Sequence, residues 1–133
     1  MIAAVVDTHA LIWYLAGDKR LSDEAMQLLG QIINDGDQIA ISTISLIEII
    51  YLAEKGRIAA DWLQRVLTLF DGPGTPFVRA SVDLETAKSV ASLANSGIAD
   101  MPDRIIAATS THLGVPLVTR DHAIAASTVK TVW

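Results

Sequence analysis

Short apolar runs suited to buried strands alternate along this chain with longer stretches of helical period, and that alternation admits few architectures. The runs are "IAAVV" (2–6), "QIAIS" (38–42), "PFVRA" (76–80) and "VPLVT" (115–119), with the terminal "TVKTVW" (128–133) as a fifth strand at an edge. Between them lie "THALIWYLA" (8–16) and "LSDEAMQLLGQIINDG" (21–36), the latter with Ser22 as N-cap and Gly36 as stop. A helix from Thr43 to Lys55 ends at Gly56, and "ADWLQRVLTLF" (60–70) follows it. "DLETAKSVASLAN" (83–95) is closed by Gly97 and "DRIIAATSTHL" (103–113) by Gly114. Strands alternating with helices predict an α/β fold, a parallel sheet of four to five strands covered on both faces. Such sheets place their ligands at the carboxyl ends of the strands.

A length of 133 residues suits one domain spanning 1–133. The loop "DGPGTP" (71–76) separates two halves of that domain and is too short to be a linker. Polar residues interrupt every apolar run before it reaches membrane-spanning length, and "MIAAVVD" lacks the basic start of a secretory signal. A soluble cytoplasmic protein is the expectation. The absence of cysteine excludes disulfides, thiolate zinc sites and a cysteine nucleophile. Ten Lys and Arg against fifteen Asp and Glu give a net charge of -5, which argues against gripping nucleic acid by bulk electrostatics.

Two strand runs end in an aspartate: "AAVVD" at Asp7 and "LVTRD" at Asp121. Two further acids stand out. Glu48 lies among Ile47, Ile49 and Ile50 in a helix that starts directly after "QIAIS", and Asp103 opens the helix that follows Met101-Pro102. Each has an ordinary structural role open to it: Asp7 and Asp103 as helix caps, Asp121 as a turn residue, Glu48 on a narrow solvated strip. Their shared place at one edge of the sheet makes a common cleft the stronger reading.

Two carboxylates about 4 Å apart repel by roughly 4 kcal/mol at a surface-like dielectric, so a cluster of them needs a proton or a cation. All-oxygen ligands favour Mg²⁺ or Mn²⁺, with water completing the shell. His9, His112 and His122 form no zinc-binding pair. The glycine motifs of dinucleotide binding, of P-loop hydrolysis and of a serine nucleophile elbow are missing.

"VVDTHALIWYL", "ISTISLIEIIYLAEKGRI", "DMPDRIIAAT" and "VPLVTRD" resemble, in order and spacing, the motifs of PIN-domain ribonucleases of the VapC toxin type, over essentially the whole chain. The resemblance places the family's acidic tetrad on Asp7, Glu48, Asp103 and Asp121. It implies an α/β/α sandwich, Mg²⁺-dependent cleavage of single-stranded RNA, homodimerisation and neutralisation by a cognate antitoxin. Asp100 matches a less uniform acidic position, with helix capping as its alternative. Thr8 and Thr119 are candidates for orienting ligands or waters, and Arg104 and Arg120, which flank the tetrad, for holding phosphate. Lys19 and Arg20 read more simply as solvated charges or ion pairs. A Mg²⁺-binding receiver-like signalling domain is a rival, but "VVDTH" offers one acid where that fold needs a pair, and Asp83 stands past a serine. An inactive PIN-like binding module is the other.

The Thr43–Lys55 helix is apolar over more than one stripe, so part of it should be covered by another chain. Ile47 and Ile50 share one side, while Ile49, Leu52 and Ala53 turn toward another; Trp62, Leu63, Val66 and Phe70 either join that patch or belong to the core.

Overall fold

The computed structural model describes residues 1–133. Five parallel strands form one sheet: β1 (Ile2–Val6), β2 (Gln38–Ser42), β3 (Phe77–Ala80), β4 (Leu117–Val118) and β5 (Thr131–Val132), in the order β3-β2-β1-β4-β5. The chain winds outward from β1 to β3, then returns to place β4 on the other side of β1. Strand order therefore reverses between β1 and β4, the position at which open parallel sheets form a crevice. A receiver-like sheet runs 2-1-3-4-5 instead, so the strand order counts against that rival.

Alternation along the strands divides the core. Ala4, Val6, Ile39 and Ile41 face the layer of α1 (Thr8–Ala16), α2 (Asp23–Asn34), α3 (Thr43–Glu54) and α4 (Trp62–Leu67). Val5, Ala40 and Leu117 face the opposite layer, including Leu93 and Ile98 and α6 (Met101–Leu113), which follows α5 (Leu84–Ser92). These are the three layers of an α/β/α sandwich. No helix is long and apolar enough to cross a membrane.

Several boundaries differ from the sequence expectation. "ADWLQRVLTLF" tightens into a 3-10 turn at Thr68–Phe70, and the helix from Leu84 stops at Ser92 rather than running to Gly97. There Leu93 turns into the core and its carbonyl accepts the Ser96 hydroxyl at 2.6 Å, closing a turn. α6 starts at Met101, two residues before Asp103, because Asp100 takes the N-cap and Pro102 fits the first turn. A four-residue helix, α7 (His122–Ala125), was not expected; Asp121 caps it.

The two sides of α3 are also resolved. Ile49 is fully buried and Trp62 nearly so, hence both belong to the core and not to an exposed patch. Ile47, Ile50 and Tyr51 face outward, at 48%, 39% and 59% exposure, with Leu67 of α4 at 38%.

Candidate active site

Asp7 leaves β1 at the crevice and is held from three directions. Its backbone N–H donates to the Val118 carbonyl at 3.1 Å, which ties it to β4. One carboxylate oxygen caps α1 by accepting the Ala10 N–H at 2.9 Å, and the other accepts the Thr119 hydroxyl. The cap is thus real, but it uses one oxygen of a side chain only 9% exposed. Thr119 in turn accepts the Asp121 N–H at 3.1 Å, linking the two acids that end β1 and β4.

Glu48 comes from the second turn of α3, one helical step from buried Ser45. Thr8, at the start of α1, donates its hydroxyl to Glu48 Oε1 at 2.5 Å and lies 2.9 Å from Ser45 Oγ. A threonine has one hydroxyl proton, so with that proton on Glu48 the Ser45 hydroxyl must donate to Thr8. The Ser45–Thr8–Glu48 relay fixes the carboxylate from behind. Nothing in the sequence distinguished Ser45 from any other helical serine. Every buried side-chain nitrogen and oxygen in the structure has a partner.

Asp103 projects from the first turn of α6, while Asp100 accepts its N–H at 3.2 Å. Asp121 likewise accepts the Ile124 N–H at 2.9 Å. Asp7, Glu48, Asp100, Asp103 and Asp121 line one open cleft of about 970 Å³. The crowding shows in their acidity. Burial first, then the charges of Asp121, Asp100, Glu48 and Asp7, push Asp103 up to about 7. Burial also raises Asp7, opposed by the hydrogen bonds from Thr119 and Ala10, and raises Glu48, opposed by Thr8. No ion pair neutralises these acids.

Arg104 is not brought to the cleft. One residue beyond Asp103 means a rotation of about 100° around a helix, and its guanidinium lies against the Leu93 carbonyl at 3.4 and 3.5 Å. Arg120 does line the cleft, as does Arg20, which forms the ion pair favoured for it from sequence, with Asp18 at 2.7 Å, and also stands where the less favoured phosphate-holding reading would put it. Lys19 does not. Sequence reasoning also missed His9, Trp13, His122 and Trp133 at the cleft, because no local pattern connects residues that the sheet brings together from both ends of the chain.

No three of the acids are gathered tightly enough to close a metal shell by themselves. The donor set nevertheless suits a hard divalent cation: five carboxylates line the cleft with no cationic side chain paired to them, and burial, then the neighbouring charges, raise one of them to about 7. Mg²⁺ keeps several of its waters, so an incomplete protein shell is what it requires.

The model of the PIN domain family matches residues 4–128. Ribonuclease VapC22 of Mycobacterium tuberculosis (strain ATCC 25618 / H37Rv) is 32% identical over 130 residues, covering 93% of this chain and 91% of that protein. A toxin-antitoxin complex from Klebsiella pneumoniae contains a chain 26% identical, with a TM-score of 0.68 over 98% of this chain and 97% of its own. The DNA-bound VapBC of Salmonella typhimurium, at 21% identity, shares the fold with a TM-score of 0.71, covering 99% and 98% of the two chains. With its sheet order, its acidic crevice and these relationships taken together, the chain belongs to the PIN-domain family, and within it to the VapC type.

Proposed function

We propose that this chain, as a single PIN-like domain over residues 1–133, is a cytoplasmic Mg²⁺-dependent endoribonuclease toxin that cleaves single-stranded RNA and is neutralised by a cognate antitoxin. The observation that carries the reading is the meeting of Asp7, Glu48, Asp103 and Asp121 in one cleft at the carboxyl edge of the sheet. The ribonuclease name of a relative 32% identical supports the reaction class.

In this reading Asp7 and Asp103 are the principal metal ligands, Glu48 a ligand or base, and Asp121 a more peripheral contributor. When bound, Mg²⁺ activates a water and offsets the charge that builds on the scissile phosphate; Mn²⁺ substitutes for it. Ala10 and Thr119 each donate to a different oxygen of Asp7, which presets the direction of its carboxylate at the cleft. Thr8 does the same for Glu48. Asp100 supports Asp103 through the backbone at the start of α6. The cation also accounts for a nuclease of net charge -5, because it converts a cleft that repels phosphate into one that attracts it.

Cleavage of single-stranded RNA in Mg²⁺ should therefore fall to background in excess EDTA and return when Mg²⁺ or Mn²⁺ is restored. Gel assays with purified protein and a contaminant control decide this. Undiminished cleavage in chelator overturns the metal reading.

The outward face of α3 and α4 supports the partner half of the proposal. Ile47, Ile50, Tyr51 and Leu67 form an apolar surface that one sheet cannot cover, and such surfaces mark interfaces. In the proposed assembly a second copy or the antitoxin covers it. Tyr51→Asp and Ile47→Asp should each weaken self-association or antitoxin binding by about tenfold or more, since burying an unpaired charge at an interface core is costly. Light scattering and calorimetric titration against the antitoxin check the expectation; unchanged mass together with unchanged affinity for both variants rules the face out.

A further inference from the structure

One wall of the cleft is cationic and aromatic, unlike the rest. Trp13, on α1, is only 6% exposed, and two guanidiniums lie on its ring: Arg20 at 4.9 Å and Arg120 at 4.6 Å from the centroid. Trp133 meets the same indole edge-on at 5.9 Å and keeps part of its own surface open to the cleft. These residues come from four separate places in the chain. The turn that brings Arg20 back depends on Gly17, whose φ of 64° ends α1 and lets the Asp18 N–H reach the Trp13 carbonyl at 2.9 Å. Arg120 arrives from the segment between β4 and α7, next to Asp121.

The two arginines differ in how far the chain itself satisfies them. Arg120 is exposed and shares a cleft with five carboxylates, yet it enters none of the structure's three ion pairs. Its place over the indole holds the guanidinium by cation–π attraction and consumes none of its N–H donors. Arg20 spends part of its hydrogen-bonding capacity on Asp18, at 2.7 and 3.1 Å, which braces it above the same ring. Both guanidiniums share one anchor, so their separation cannot exceed the sum of the two centroid distances. A flat guanidinium with open donors suits a phosphate, and a partly exposed indole beside it suits a nucleobase.

We propose that Trp13, Arg20, Arg120 and Trp133 form a strand-holding wall: Arg120 and Arg20 bind backbone phosphates beside the scissile one, and Trp133 stacks a neighbouring base. Trp13 is a positioning residue that orients both guanidiniums. The inference rests on the single-stranded RNA reading and deepens it, since it assigns the part of the substrate that the acids cannot attract.

The test is fluorescence anisotropy of a labelled, short single-stranded oligoribonucleotide, titrated at several salt concentrations in Mg²⁺. The parent is the Asp7→Asn variant, so that binding is read without cleavage. Arg120→Gln and Arg20→Gln should each lower the slope of log affinity against log salt by about 0.7, the value for one lost phosphate contact on a single strand. Arg120→Lys should restore the slope while recovering only part of the affinity, because it keeps the charge and loses the planar stack. Trp133→Leu should weaken binding about 5- to 150-fold with no change in slope, and Trp133→Phe should bind close to the parent. Thermal melts confirm that each variant is folded. Slopes and affinities unchanged in a parent that binds overturn the wall and leave the nuclease reading standing; if the parent does not bind, the same substitutions are read in the wild-type background as KM for cleavage at several salt concentrations, and unchanged KM values and salt slopes overturn the wall likewise. A parent that does not bind and a wild type that does not cleave overturn both.

Discussion

Asp7→Asn should reduce cleavage of single-stranded RNA to about one per cent of wild type or less while leaving the fold intact. The substitution separates two roles that meet in one side chain. As N-cap of α1, Asp7 accepts the Ala10 N–H, and asparagine caps a helix as well as aspartate does. With its single oxygen capping the helix, the asparagine turns its amide nitrogen to Thr119, so that contact persists only with its direction reversed, the amide N–H donating to the Thr119 hydroxyl oxygen. What is lost is the negative charge at the bottom of the cleft. That charge is already disfavoured by burial, so removing it should leave the melting temperature unchanged or raised. Asp7→Ala gives the contrast: it loses charge and cap together, and should be inactive and also destabilised by about 1 kcal/mol. Melting curves and cleavage assays on the pair distinguish the roles. An Asn variant as active as wild type would overturn the assignment of Asp7; unfolding of that variant would show that the carboxylate and its bond from Thr119 serve the fold.

The carboxyl edge could be read from sequence because apolar runs of strand length stop at acids, and a parallel sheet turns that pattern into a location. All five strands, the last at an edge, followed from the short apolar runs. The failures have equally physical origins. Arg104 was a candidate for holding phosphate because it is adjacent to Asp103 in sequence, but adjacent residues on a helix point in different directions. Helix α7 is four residues long, too short to show any period, so Asp121 looked like a turn residue where it is a cap. On α3, periodicity defined two apolar sides without saying which meets the core; only the packing of α4 and the sheet buries Ile49 and leaves Ile47 and Tyr51 outside. The aromatic wall was invisible for a further reason. Arg20 returns to Trp13 through the local turn at Gly17, whereas Arg120 and Trp133 reach the same ring only because β1, β4 and β5 are neighbours in the sheet.

The second large effect concerns acidity and stability. In chelator, the melting temperature should fall as pH rises from 5 toward 7 and level off above that, and Asp103→Asn should remove much of the fall. The Asp103 carboxyl titrates at about 7 in the folded chain against 3.8 as its ordinary value. Between those values the folded state binds a proton that the unfolded state has released, so stability declines with pH across that interval. The stabilisation from protonation is complete below 3.8 and is gone once pH has passed about 7. Asp18 and Asp83 are shifted the other way, by Arg20 and by the Thr86 hydrogen bonds respectively, and lose their contribution only at more acidic pH, outside the measured window. Asp103 is half-buried, and solvent screening reduces the effect to on the order of 1–2 kcal/mol, or about 3–8 °C. Saturating Mg²⁺ should abolish or reverse the decline, because a cation that binds only the folded, ionised site stabilises it more as the competing proton leaves. Parallel pH profiles for wild type and Asp103→Asn that decline equally would remove Asp103 from the centre of the acidic cluster, whereas a variant profile clearly shallower than that of the wild type, its remaining slope coming from the raised Asp7 and Glu48, would place it there.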